Sequence, residues 1–419
     1  MTSNTDRKCL YAGNDFYTVN AIGQKPIRVA QIVGKMVGGG VESVVMNYYR
    51  HIDRSKVQFD FLVDEDSTRV PEEEIIALGG RVFRIPPYQH PIRYRRELIR
   101  LMREQRWPIV HSNINTLSVF PLSAAKKVGV PVRIAHSHST MGKGEFAKNV
   151  MKLALRPFAN VYPTVRFACG HYAGEWLFGK NADFTVIPNG IELDKFRFDS
   201  AVRQETRKEL GIADDTFLIG HVGRFMPQKN QAFLVDVLAD LLPKRSNTML
   251  AFVGDGPDRP AVQQHAVELG IADHVLFLGQ RSDVNRLYQA FDVFCLPSLY
   301  EGLGMVAVEA QVAGLPCLLG DAVPLEADVT TQSHFLQIAD VKPWSEALSN
   351  LPVSDYSDQV DVTSTSKFIP IDSHEEWSSS ISALGPGTRI GSSEKVFSDY
   401  DISVNARKLA SMYLKLFEK

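Results

Sequence analysis

The chain has 419 residues, 44% of them hydrophobic, 22% charged and 10% aromatic, the proportions of a soluble globular protein. Its 46 Lys and Arg against 48 Asp and Glu leave a formal charge of −2, which excludes the strongly basic surface of a general nucleic-acid binder and an acidic disordered tail. That length also exceeds what one compact core organises and predicts two or three domains.

Residues 1–26 are polar with scattered aromatics and are set apart as an N-terminal extension. The first strand is IRVAQIV (27–33), a continuous apolar run of the kind a parallel sheet buries on both faces. A triple glycine, Gly38 to Gly40, leads into a helical pattern over 41–52. Strands follow at 57–63, 81–86, 109–112 and 132–138, alternating with helices from Pro71, over 93–106 and over 117–128. This alternation predicts right-handed βαβ units.

The pattern restarts at FLIGHVG (217–223). Helices over 230–242, 258–269, 283–290 and 304–313 then alternate with strands over 248–254, 274–279, 292–297 and 315–320. Between the halves, Asn189-Gly190 is a turn signal. The stretch 353–393 is rich in Ser, Asp and Thr, whereas 404–417 is amphipathic at helical spacing. The expected organisation is α/β: two doubly wound, Rossmann-like domains over 27–190 and 191–395, facing each other across a cleft, with a last segment at 396–419. No apolar run reaches the ~18–20 residues of a bilayer span, and the first twenty residues lack a secretory apolar core. The cysteines Cys9, Cys169, Cys295 and Cys317 form no CxxC pair, and three lie in apolar stretches, which suits a reducing, cytoplasmic setting.

Four segments could carry chemistry. In Pro297–Glu309 a strand ends, a loop holds Glu301, and a helix starts near Gly304. Free amides of Gly302, Leu303, Gly304 and Met305 at a helix start suit a phosphate, while Glu301 and Glu309 flank them at the reach of a sugar and a ribose. Gly223–Asn230 likewise joins a strand to a helix and supplies Arg224 and Lys229, a cation pair able to hold a diphosphate. The glycine triplet with Asp64 is close to a dinucleotide fingerprint and keeps an NAD(P)-dependent oxidoreductase or epimerase open as a rival. His136-Ser137-His138 ends a strand with Lys143 beyond; the imidazoles could be structural, touch a substrate hydroxyl, or pair on a metal. Gly174–Asn181 nearly spells a P-loop but lacks its Ser/Thr and its preceding strand. Two basic stripes, Lys148/Lys152/Arg156 and Arg96/Arg100/Arg103, read either as solvated faces or, for the first, as a contact with anionic lipid.

E-G-L-G-M-V-A-V-E at 301–309, G-R-F-M-P-Q-K-N at 223–230 and the G-G-G loop together resemble a family 4 retaining glycosyltransferase of GT-B fold, over 27 to about 335. I-P-N-G-I-E (187–192) resembles that family's interdomain link, and 135–139, 169–179 and 399–409 resemble its capsular and exopolysaccharide subgroup. The resemblance implies transfer of a hexose from a nucleoside-diphosphate sugar, expected to be a UDP-sugar, to a glycan or lipid-linked glycan. No metal or other cofactor and no nucleic acid is expected, and a peripheral contact with the inner membrane is left open. It further implies that Arg224, Lys229 and the Gly302–Met305 amides hold the diphosphate, and that Glu301 holds the sugar and Glu309 the ribose. Gly39, Gly40 and Arg281 would line the donor site, His138 would stand at the reacting sugar, and His136 and Lys143 would face the acceptor. The final helix would cross back to the first domain. A non-catalytic sugar-nucleotide-binding subunit is the third reading.

Overall fold

The computed structural model describes residues 25–138, 146–330, 333–351, 359–361, 389–391 and 397–418. The first sheet contains β1 (Ile27–Gly34), β2 (Val57–Asp64), β3 (Arg81–Ile85), β4 (Ile109–Ser112), β5 (Val132–Ser137), β6 (Val165–Ala168) and β7 (Thr185–Val186), in the order β3-β2-β1-β4-β5-β6-β7. All its pairings are parallel. Helices α1 (Gly40–His51), α2 (Glu72–Ala77), α3 (Pro91–Gln105), α4 (Val119–Val128), α5 (Phe146–Leu155) and α6 (His171–Phe178) make the crossovers and cover both faces. That coverage is why every residue of β2 is buried.

After α7 (Leu193–Phe196) and α8 (Ser200–Leu210), a second parallel sheet forms from β8 (Phe217–Val222), β9 (Thr248–Val253), β10 (Val275–Phe277), β11 (Val293–Leu296), β12 (Cys317–Gly320) and β13 (Ser333–Leu336). Its order is β10-β9-β8-β11-β12-β13. Connecting helices are α9 (Gln231–Leu241), α10 (Arg259–Glu268), α11 (Val284–Ala290), α12 (Met305–Val312) and α13 (Lys342–Ser349). A short parallel pair, β14 (Gln359–Asp361) with β15 (Arg389–Gly391), stands apart. In each sheet the strand order reverses beside the first strand, between β1 and β4 and between β8 and β11. That switch point is where open α/β sheets take ligands at the strands' carboxyl ends. Strands β6, β7 and β13 and helices α6, α8 and α13 add to the elements expected from the sequence.

Helix α14 (Ile402–Phe417) is capped by Asp401, whose carboxylate accepts from the Ser403 amide at 2.7 Å. It buries Ile402, Ala406, Leu409, Ala410 and Tyr413 in the core of the first domain beside Val45, Tyr48 and Phe59. The domains are thus linked by two chain passages, and these touch: Ile191 N donates to Tyr400 O (2.8 Å) and Ile402 N to Ile191 O (3.0 Å). Tyr48 and Asn47 of α1 hold the first passage through Pro188 O (2.6 Å) and Gly190 O (3.3 Å). A Cβ at Gly190 would fall 2.8 Å from Ile402 Cα. Gly190→Ala is therefore expected to cost about 1–3 kcal/mol by overpacking and to lower the melting temperature; an unshifted thermal melt would refute this contact.

Each domain also encloses a carboxylate with two arginines. Asp60 lies between Arg28 and Arg81 and accepts from Trp107 Nε1 at 2.6 Å. Asp292 meets Arg203 (2.7 Å), Arg207 (3.3 Å) and the Leu218 amide (2.7 Å), and all three side chains are buried.

Candidate active site

The two motif loops of the second domain follow β8 and β11, neighbours at the switch point. They are stitched together: Leu299 N donates to Gln228 O (2.8 Å) and Gln228 Nε2 to Tyr300 O (2.9 Å). Lys229, ending a short 3-10 turn, places Nζ 2.5 Å from Glu301 Oε1, with both side chains largely buried. The Lys229 stem fills the space beside Gly223, with Cγ and Cδ each 3.3 Å from where a Cβ there would lie. Gly304, at φ +83°, turns the chain into α12, a conformation that glycine adopts without strain. The amides of Gly302, Leu303, Gly304 and Met305 thereby open the helix with no acceptor among the described residues. Glu309 lies beyond them in α12, its Oε2 3.1 Å from the Tyr288 hydroxyl. Burial pushes its carboxyl up to about 7, opposed by Tyr288 and by the charges of Lys195 and Lys229, so Lys229 lies within electrostatic reach of both acids.

Beside this group a cleft of about 360 Å³ opens between the domains. Gly38 and Arg69 line one wall; Gly223, Arg224, Gly256 and Arg281 line the other. Arg224 is exposed. Arg281 is fixed by Asp283 through two bonds of 2.7 and 2.6 Å, and Arg69 crosses the cleft to donate to the Gln280 side-chain oxygen. The second-domain residues Glu301, Lys229, Gly302 to Met305 and Glu309 thus converge, with Arg224 and Arg281 on the adjoining wall.

The glycine loop works differently from a dinucleotide fingerprint. Glu42 of α1 turns back and accepts from the amides of Val37 (2.9 Å), Gly38 (2.6 Å) and Gly39 (3.0 Å). An internal carboxylate occupies the donors that a pyrophosphate would need, so the oxidoreductase reading is withdrawn. Gly38 lines the cleft, whereas Gly39 caps α1 and Gly40 is its first residue.

His138, just past β5, is 7% exposed; its amide donates to Asn115 Oδ1 (2.6 Å), and its Nε2 lies 3.1 Å from Asn113 Oδ1. His136 stacks on it at 3.9 Å between ring centroids and is itself bonded to His111 at 3.0 Å. Burial lowers all three imidazoles, His138 to about 4 and His111 to about 3, so the cluster is uncharged at neutral pH. At 3% exposure His136 lies in the interior, and neither it nor His138 is among the residues lining the cleft. Lys143 lies outside the described residues. Among those described, no group of three His, Cys, Asp or Glu could hold a metal ion, so the metal-pair reading of the histidines gains no further ligand.

Sequence reasoning passed over Gln228, which sits inside its own motif, and Tyr288, which has no signature. It passed over the Glu42 brace and Arg69 too. Only the acid three residues after Gly39 hinted at the brace, as a helix-capping pattern.

Two doubly wound sheets facing each other, with an acid-flanked helix start and a lysine at the second sheet's switch point, define a glycosyltransferase of GT-B architecture. Residues 38–195 match the family described as Glycosyltransferase Family 4 and residues 202–342 the one described as Glycosyl transferases group 1. The chain belongs to family 4 of the glycosyltransferases. It is 38% identical over 310 residues to EpsF of Bacillus subtilis (strain 168), assigned as a glycosyltransferase, covering 72% of this chain and 81% of that one. It is 25% identical over 314 residues to the Escherichia coli UDP-Gal:alpha-D-GlcNAc-diphosphoundecaprenol alpha-1,3-galactosyltransferase, covering 70% and 79%. Its fold matches Anabaena Alr3699/HepE, solved with UDP and glucose, at a TM-score of 0.70 and 18% identity over 93% of this chain and 100% of that one. Among the described residues no helix is long and apolar enough to cross a membrane.

Proposed function

We propose that the chain moves a hexose, with retention, from a UDP-sugar to a lipid-linked glycan in surface polysaccharide synthesis. The observation that carries this reading is the Lys229–Glu301 pair set against the open amides of Gly302 to Met305, with Glu309 beyond. A diphosphate seated on those amides gains the helix-start dipole and the charge of Lys229 and Arg224 as its bond to the sugar breaks. Glu301 would take sugar hydroxyls and Glu309 ribose hydroxyls. The anomeric carbon–oxygen bond breaks, the acceptor oxygen bonds that carbon from the same face, and the acceptor proton passes to the departing phosphate oxygen. Positive charge from the protein makes a divalent metal dispensable in this reading. The name of the E. coli relative supports a UDP-sugar donor and a polyprenyl-diphosphate-linked acceptor. On the first domain, α5 and the residues after it expose Val150, Leu153, Phe158 and Val161, which supports a peripheral contact with the membrane carrying such an acceptor. Arg156, by contrast, lies over the Trp176 ring at 5.6 Å.

Thermal shift with a panel of nucleoside-diphosphate sugars, with and without EDTA, tests the reading. Stabilisation by a UDP-sugar in EDTA is the expected result; stabilisation by GDP-mannose alone would change the donor, and by NAD(P) alone would end the proposal.

A pH dependence follows. The Glu309 carboxyl is raised to about 7 in the free protein, so it is protonated below that pH and ionised above it. Ribose hydroxyls donate best to the ionised form, so UDP-glucose affinity is expected to weaken, by up to about tenfold per pH unit, as pH falls below about 7. Calorimetry across this range should also show proton release on binding; Glu309→Gln should flatten both effects.

A further inference from the structure

The histidines of the first domain belong to one hydrogen-bonded unit that reaches the last helix, and its polarity follows atom by atom. Asn113 donates from Nδ2 to Gln31 Oε1 (3.0 Å), and Gln31 donates from Nε2 to the Tyr413 hydroxyl (3.0 Å). The hydroxyl has one hydrogen of its own, and the atom facing it at 2.6 Å is His111 Nδ1. Directing that hydrogen at His111 Nδ1 satisfies it, and this neutral ring then carries its own hydrogen on Nε2. That hydrogen points to His136 Nδ1, 3.0 Å away, so His136 also carries its hydrogen on Nε2. On the other branch, His138 Nε2 lies 3.1 Å from Asn113 Oδ1, so the same network decides which of its nitrogens carries the hydrogen. His138 Nδ1 and His136 Nε2 are buried and make no hydrogen bond of normal geometry, and the Asn189 side chain stands beside His138.

We propose that Tyr413 is a positioning residue for His138. Its hydroxyl, carried on the C-terminal helix, sets the tautomer and orientation of the His111–His136–His138 cluster, and with it the atom that His138 presents to the reacting sugar. The inference rests on His138 standing at that sugar. A neutral imidazole has two tautomers, and the partner of one nitrogen decides which atom the other presents. Without the Tyr413 oxygen, neither His111 nor Gln31 has a fixed partner at this junction, and both tautomers become accessible along the chain. Tyr413 thus ties the reacting side of the first domain to the segment that returns from the second.

Tyr413→Phe removes one oxygen and keeps the ring, including its edge contact with Phe59 at 6.0 Å. With UDP-glucose as donor and UDP release as readout, kcat is expected to fall about 10–100-fold while the donor KM stays within about twofold. Nitrogen NMR of the histidine rings is expected to show the single His138 tautomer replaced by a mixture. Ala406→Gly loosens the same helix without touching the hydroxyl; it should lower the melting temperature and leave kcat unchanged. In a His138→Ala background Tyr413→Phe should cost nothing further. Full turnover of Tyr413→Phe with a slowed His138→Ala would overturn this proposal and leave the role of His138 standing. Full turnover of His138→Ala would instead remove the role on which it rests. Additive losses, or an equal loss from Ala406→Gly, would assign Tyr413 to packing and overturn the proposal.

Discussion

Lys229→Ala is expected to lower kcat for sugar transfer by 10²–10³-fold, about 3–4 kcal/mol in the barrier, with a smaller change in donor KM. The lysine is held for this purpose before any ligand arrives. Its stem packs against Gly223, its ammonium lies 2.5 Å from Glu301, and its charge reaches Glu309. A diphosphate leaving from the α12 amides develops charge where that ammonium already stands, in a site where the pair is only 14% and 8% exposed. Low exposure raises the worth of a fixed cation relative to water. Alanine would also leave the Glu301 carboxylate without its counter-charge, so part of the loss would appear in sugar binding. Lys229→Arg keeps the charge but brings a planar fork to a position shaped for a point charge, and should recover only part of the rate. Initial rates of UDP release decide the matter: unchanged turnover in Lys229→Ala would take this residue out of the site.

Asp292→Ala is expected to destabilise the second domain by about 3–5 kcal/mol. Asp292 is 2% exposed and receives Arg203, Arg207 and the Leu218 amide. Removing the carboxylate strands two buried guanidinium groups; Arg203 keeps carbonyl partners at Gln289, Ala290 and Phe291, but these supply no formal charge. Because α8 is anchored to the sheet through these arginines, the loss should appear as a lower urea midpoint for the whole second domain, with UDP-sugar binding intact below the transition. A midpoint within experimental error of wild type would show that the ion cluster is not holding α8.

That same helix shows where sequence reasoning reaches its limit. The long strands were legible because runs such as IRVAQIV and VQFDFLV are predominantly apolar on both faces, as a sheet covered on both sides requires. Helix α8 was not, since the residues it buries are Arg203, Thr206 and Arg207, which leave no hydrophobic period to detect. Strands β6, β7 and β13 have four residues or fewer, and β13, at a sheet edge, joins two polar residues to two apolar ones. At the site, the two loops after β8 and β11 were legible because glycine, acid and lysine recur where chain direction changes. The glycine triplet misled in part, since nothing in the spacing says that Glu42 would fill the loop amides itself. His136 and His138 could be seen, but His111 and Tyr413 could not, because only the folded chain brings residues 302 positions apart together.

The return of the last helix to the first domain bears on how the protein is made. Gln31 meets Tyr413 across 382 positions of sequence, so at ~5–20 residues per second a ribosome needs ~20–80 s to deliver the partner that closes that core. Until then the apolar strip reserved for Ile402, Leu409 and Tyr413 stays open on the nascent chain, while the second domain can already be complete. Holding factors should therefore engage the emerging first domain until translation ends, and a stop codon before residue 402 should send the product to aggregates with its second domain still folded.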